Sequence, residues 1–351
     1  MIESGNTKAP AVPPMRRFRD FMNSRAGGIT LLVGLIVVIL VAAQLTGVTS
    51  NRLLSLLVRG VMLAGIISLG AIGLTLISGV MKMSNFAQGD LMSAGAYIAL
   101  VVVMLLPQGA PLAPFSFGYE FLIGLVIAMV LTGVIAVIFD RTIYRHLRAR
   151  RAGPVVLAMA SLGAALLLRS IIYLGWGADF SFFYTGRPRP AIELFSGINV
   201  LPDQLFILGL AVFFIVIVWF VLTMTKLGKA MRATADNPDL ARISGINTGL
   251  VVTWTWLIGG GLAGASGVMY GLYAQLRPEM GWFLLLPLFA AVILGTIGNP
   301  YGALVGALVI AIGWQVSSAF LDPAYGPAVA FVLMILVLLF RPQGLFGKAG
   351  G

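Results

Sequence analysis

Asn85, Gln88 and Asp90 fall within one short stretch, "SNFAQGDLMSAGAY", that lies between two apolar runs. Small residues accompany them at Gly89, Ser93, Ala94 and Gly95. Two amides and a carboxylate at the edge of a lipid-spanning segment can do one of three things. Asn85 and the Ser84 hydroxyl can cap the helix that starts there, with Asp90 near its first turn, where the positive end of the helix dipole favours a carboxylate. A broken helix end can instead line a water-accessible path, because irregular backbone survives at membrane depth only where protein or water satisfies it. Asp90 can also pair with a cation on a neighbouring helix, since an ionisable group in a membrane segment needs a partner or a function. Asn85, Gln88, Gly89, Asp90 and Ser93 are the candidate pathway residues.

A second constellation is "TKLGKAMRATADNPDLARISGINTGLV", Thr225 to Val251. Lys226, Gly228, Lys229, Arg232 and Asp236 belong to a short basic helix centred on Gly228 to Ala235. Asn237 then reads as a helix N-cap, Pro238 as the first helical residue and Asp239 as a first-turn acid. Leu240 and Ile243 share a face, Arg242 adds charge, and Gly245 supplies the left-handed residue that ends the helix. A helix of about two turns is unstable alone in water, so it needs a surface: the inner face of its own protein or a groove in a cytoplasmic partner.

The elements that position these groups follow from composition. Of 351 residues, 59% are hydrophobic and 10% charged, against about 25% charged in soluble domains. Apolar runs of ~18–24 residues match a helical bilayer crossing. They are continuous rather than alternating, which excludes a strand barrel. The 43 glycines suit closely packed membrane helices. The expected fold is all-α, with about ten transmembrane helices at 29–46, 53–78, 86–106, 120–140, 154–175, 204–223, 249–273, 282–297, 300–320 and 327–340. The last three are the shortest or least regular. Residues 1–27 read as a disordered basic cytoplasmic tail, 28–348 as the polytopic domain and 349–351 as a short tail. The run at 29–46 is long for a signal peptide and is expected to stay as an extra first span.

With the N-terminus cytoplasmic, 17 of the 23 Lys and Arg fall in inside segments and four outside, so both ends are expected in the cytoplasm. Arg59 and Arg169 lie within spans near their outer ends, where they can snorkel. The net charge of +11 sits in short loops and marks orientation rather than nucleic-acid binding. The outside connection 176–203 is expected to form a small structured cap. Spans three and eight both open on a polar turn with an acid and a glycine and enter from opposite sides, which suggests a five-plus-five inverted repeat of the kind transporters use.

The absences are equally informative. There is no cysteine and one histidine, His146, which excludes disulfides, thiolate chemistry and histidine metal clusters. There is no phosphate-binding loop; "GLFGKAG" at 344–350 lacks its spacing and its hydroxyl residue. No nucleophile elbow or zinc-protease helix occurs, nor a selectivity filter of the potassium-channel type. An ATPase or other enzyme in this chain is thereby disfavoured, and no cofactor is expected on it.

"SNFAQGDLMSAGAYIAL", "DRTIYRHLRAR", "KLGKAMRATADNPDLARISGIN", "GGGLAGASGVMYGL", "PEMGWFLLLPLFAAVILGTIGNPYGALVGALV" and "LVLLFRPQGLFGK" occur in that order. Together they closely resemble the membrane permease subunits of branched-chain amino-acid ABC importers, over roughly residues 53–348, and most resemble the shorter permease, with an extra N-terminal tail and span. The resemblance implies a bacterial inner-membrane subunit that pairs with a second related permease. It also implies two cytoplasmic ATPase subunits that hold ATP and Mg, a periplasmic substrate-binding protein, a small-molecule solute and a lipid environment. The 226–247 segment matches the ATPase-coupling loop, and 84–95 matches the start of an early pathway helix. The family's common "NFAHGE" reads Gln88 and Asp90 here, and its "GGIGS"-like turn reads "GTIGN" at 295–299. Since relatives also move urea and amides, the implied solutes are branched-chain or other neutral amino acids, with urea or short amides as the alternative. An ion-coupled secondary transporter is a more distant one, and it would want more intramembrane carboxylates than Asp90.

Overall fold

The computed structural model describes residues 48–107, 109–185, 191–195 and 198–347. The tail 1–27, the expected first span 29–46 and the residues 349–351 lie outside them. The first described helix, α1 (Ser50–Met81), is also the longest; Lys82, in the left-handed conformation with φ 54°, ends it. From Gly60 onward α1 is apolar nearly all round. Such a helix belongs inside other helices, and 94% of its apolar window is buried. α2 (Ala87–Leu105) follows a short extended passage. α3 (Tyr119–Phe139) continues through one π-turn, Asp140–Tyr144, into α4 (Arg145–Ala149). α5 (Pro154–Trp176) begins on a proline, which is pre-set for the first helical position.

A two-stranded antiparallel hairpin, β1 (Ile192–Phe195) and β2 (Ile198–Val200), precedes α6 (Pro202–Met224). Two short helices follow, α7 (Lys226–Asp236) and α8 (Pro238–Ile243). The chain then runs through α9 (Thr248–Tyr273), α10 (Met280–Gly295), α11 (Pro300–Ser317), a 3-10 turn at Pro323–Tyr325, and α12 (Gly326–Phe340).

Among the described residues, seven helical stretches are long and apolar enough to cross a bilayer: α1, α2, α3 with α4, α5, α6, α9 and α11. α10 and the stretch Pro323–Leu339 are apolar but shorter. The chain is a multi-pass helical membrane protein. Each expected span from 53–78 onward coincides with one of these helices. One boundary differs: the connection expected at 141–151 is helical as far as Ala149. Arg141, Arg145 and Arg148 sit on a helical extension of α3 rather than on a loop.

α1 is the central pillar. It lies antiparallel to α9 and α11, touching α9 at Gly73 and Gly259 and α11 at Gly60 and Ile312. Small residues let backbones approach, and in lipid such close packing is the main source of helix–helix attraction. α3, α5 and α6 lie at the periphery, with only 39%, 39% and 22% of their apolar windows buried. The connection after α5 carries the hairpin and is tied down. Ser181 and Leu276 exchange backbone hydrogen bonds at 3.0 and 2.9 Å, and Phe183 meets the edge of Phe121 at 5.4 Å. The Ser116 backbone N–H donates to Asp203 Oδ1 at 2.8 Å, which ties the loop before α3 to the start of α6.

Candidate functional site

α2 starts in the interior of the bundle rather than at its edge. Gln88 Nε2 donates to the carbonyls of Gly70, at 3.4 Å, and Gly259, at 3.2 Å. Gly70 is about 16 Å from the end of α1, and Gly259 about as far from the start of α9, at 1.5 Å per residue. The Phe86 N–H donates to Ser161 Oγ at 2.9 Å, part-way along α5. Asn85 shapes the approach: its Oδ1 accepts from the Ala87 N–H at 3.2 Å, and its Nδ2 donates to Gln88 Oε1 at 3.3 Å. Phe86 rather than Asn85 takes the N-cap position.

α10 starts against this same point. The Gly281 N–H donates to Ser93 Oγ at 3.0 Å. A side chain at Gly89 would run into the Gly281 carbonyl, and one at Gly281 into the Gly89 carbonyl. The N-terminal ends of two helices therefore meet within the bundle. Asn85, Gln88, Gly89, Asp90 and Ser93 are gathered there, all buried.

Asp90 is fully buried and takes the third of its options. Arg169 Nε donates to its Oδ1 and Nη2 to its Oδ2, both at 2.9 Å. This two-point geometry is the strongest form of such a contact. Arg169 does not snorkel to the outer edge; it turns inward, with 15% of its side chain exposed. The reason is electrostatic: a buried carboxylate without a partner costs far more than a paired one. The guanidinium also lies over the Trp282 ring, 4.8 Å from its centre. One turn along α5, the Tyr173 hydroxyl donates to Glu279 Oε2 at 2.8 Å. Arg169 was legible only as a charge inside an apolar run and Glu279 only as the acid of the polar turn that opens span eight; no local pattern marked Tyr173 or Trp282.

The second constellation forms as its local chemistry dictates. Thr225 Oγ1 accepts from the Gly228 N–H at 3.2 Å and caps α7. Gly228 packs so tightly on the carbonyls of Val221 and Leu222 that a side chain would not fit. Asn237 Oδ1 accepts from the N–H groups of Asp239, at 3.1 Å, and Leu240, at 3.0 Å, and caps α8. Pro238 is the first helical residue. Gly245, with φ 84°, closes the helix, and the Ile246 N–H returns to the Ala241 carbonyl at 3.0 Å. Ala241 faces inward and is buried, whereas Leu240 is 57% and Ile243 82% exposed. Arg242 and Asp239 pair loosely at 3.9 Å on the exposed side. Lys226, Lys229, Arg232 and Asp236 lie on α7. In the departing "GTIGN" turn, Asn299 Oδ1 caps α11, and the Gly298 N–H donates to Thr75 Oγ1 at 2.8 Å.

Comparison with known proteins places the chain in a family. Residues 56–338 match the family described as branched-chain amino acid transport system / permease component. The high-affinity branched-chain amino acid transport system permease protein BraD of Pseudomonas aeruginosa is 30% identical over 297 residues, 83% of this chain and 95% of that one. The corresponding permease protein LivH of Escherichia coli is 30% identical over 305 residues, 83% of this chain and 94% of its own. A probable branched-chain amino acid transport permease protein LivH of Methanocaldococcus jannaschii is 28% identical over 289 residues, 79% and 87% of the two chains. The chain belongs to the branched-chain amino acid transport system permease family.

Proposed function

We propose that this chain is half of the membrane pathway of an ATP-driven importer for branched-chain or other neutral amino acids. The observation that carries the reading is the match of 56–338 to a permease family in a chain without a phosphate-binding loop. In this reading the chain crosses the bacterial inner membrane about ten times, with both ends in the cytoplasm and its halves related as an inverted repeat. A second permease completes the pathway, a periplasmic binding protein delivers the solute, and two ATPase subunits hold ATP and Mg below. α7 and α8, from Lys226 to Gly245, dock on an ATPase. The exposed Leu240 and Ile243 support this, because the described residues leave that apolar edge uncovered. The expected result is that the purified chain brings down an ATPase and a second permease. Proteoliposomes of the complex then take up labelled leucine only with ATP inside the ATPase compartment. Uphill uptake by the isolated chain would overturn the reading.

The meeting point of α2 and α10 is, in the same reading, the pathway's closed junction. Asn85, Gln88, Gly89, Asp90 and Ser93 become solvent-lined when the halves rock apart. The chain has no cysteine, so Ser93→Cys in the assembled importer can be followed with an aqueous thiol reagent. Labelling is expected in one nucleotide state and not another. Complete protection in every state would leave this cluster a packing device.

A further inference from the structure

The four side chains beside Asp90 form a built arrangement. Arg169 and Tyr173 are four residues apart on one face of α5, and Glu279, the residue just before α10, stands three before Trp282 in its first turn. The two pairs interleave: Arg169 lies on the Trp282 ring at 4.8 Å, and the Tyr173 hydroxyl holds Glu279 at 2.8 Å. The arrangement is open to one side, with Tyr173 and Trp282 each 38% exposed and Phe283, next in sequence to Trp282 and one helical turn on from Glu279, at 49%. Arg169 spends Nε and Nη2 on Asp90, which leaves its Nη1 amino group outside that pair. Glu279 spends Oε2 on Tyr173, and its other oxygen stays outside that bond.

This is not the pattern of an interfacial anchor. Anchoring aromatics and cations at a bilayer edge reach outward to the headgroups; Arg169 reaches inward to a carboxylate that is fully buried. Charged and polar groups on an open face at membrane depth need protein or water over them. The arrangement holds one cation, one anion and one aromatic face, with the cation fixed in direction by Asp90. That is the complement of a molecule carrying a carboxylate, an ammonium and an apolar side chain.

We propose that Arg169, Glu279 and Trp282 form a contact site for the zwitterion of a neutral amino acid on its way through the permease. Arg169 Nη1 meets the carboxylate, Glu279 the ammonium, and the Trp282 ring the aliphatic side chain; Tyr173 and Asp90 position the two charges. The site rests on the transport reading above and names where that solute is held.

The test uses the assembled importer carrying Phe283→Cys in the otherwise cysteine-free chain, with an aqueous thiol reagent. Leucine is expected to slow labelling about tenfold, a differential of about 1.4 kcal/mol. 4-Methylpentanoate, which lacks the ammonium, and 3-methylbutylamine, which lacks the carboxylate, are expected to leave the rate unchanged. Adding Glu279→Gln, which keeps a hydrogen-bond acceptor for Tyr173, removes the protection by leucine without changing labelling in its absence. Labelling that ignores leucine, protection by either single-charge analogue, or no labelling in any nucleotide state each overturns the site. ATP-driven leucine uptake by the same preparation is scored separately. Uptake without protection sinks this inference alone, and a complex without uptake sinks the transport reading.

Discussion

An importer carrying glycine at both 237 and 238 is expected to hydrolyse ATP and yet move solute at least about tenfold more slowly, about 1.4 kcal/mol or more on the barrier of the coupled step. The argument begins with the size of α8. A helix of six residues has no stability of its own in water, and its shape depends on its ends. Asn237 satisfies two of its free N–H groups; losing such a cap to alanine costs about 0.5–2 kcal/mol and to glycine a few tenths, so the glycine at 238 has to add to it. Pro238 fixes the backbone at the first position, and glycine there enlarges the unfolded ensemble. Without both, Leu240 and Ile243 no longer stand together on a rigid edge. A partner can shift an equilibrium only through contacts that differ between its two states, and a frayed helix makes the same weak contact in both. Asn237→Asp keeps the cap and is expected to transport at close to the parent rate. Uptake by the double glycine variant at the parental rate per ATP would remove α8 from the coupling path.

Arg169→Met has the largest expected effect on stability. It leaves Asp90, fully buried, without its two-point partner. Breaking a buried pair on one side typically costs about 3–5 kcal/mol. Removing both charges costs much less, because apolar side chains of similar volume suit the same space. The double variant with Asp90→Leu and Arg169→Met should therefore recover most of the loss, as read from thermal unfolding in detergent. If Arg169→Met unfolds at the parental temperature, the pair does not hold α2 to α5. The double variant separates stability from transport: it is expected to fold and to import poorly, because Arg169 is also the cation of the proposed solute site.

What was legible in the sequence was local. The apolar runs bounded by charges, prolines and asparagines located the described membrane helices to within a few residues of their ends, apart from the helical extension of α3 to Ala149. α8 could be read almost atom by atom, since Asn237, Pro238 and Gly245 act on their immediate neighbours. The contacts that build the candidate site were not legible. Asp90 and Arg169 are 79 residues apart, and Gln88 reaches Gly259 across 171. A soluble helix advertises its buried face by an apolar stripe, but helices apolar all round carry no such mark. The depth at which α2 begins was hidden for the same reason. Only the tertiary partners of Gln88 and Phe86 reveal that the helix starts part-way along its neighbours.

The burial of α1 bears on how the protein is made. Its close partner Ile312 on α11 lies 252 positions later than Gly60. At ordinary ribosomal speeds of about 5–20 residues per second, that partner emerges roughly 10–50 s after α1. During that interval the nascent pillar has only lipid or the insertion machinery for company. Its apolar stretch from Gly60 onward lets it wait there unharmed, though in the finished molecule that same stretch is almost wholly covered by other helices.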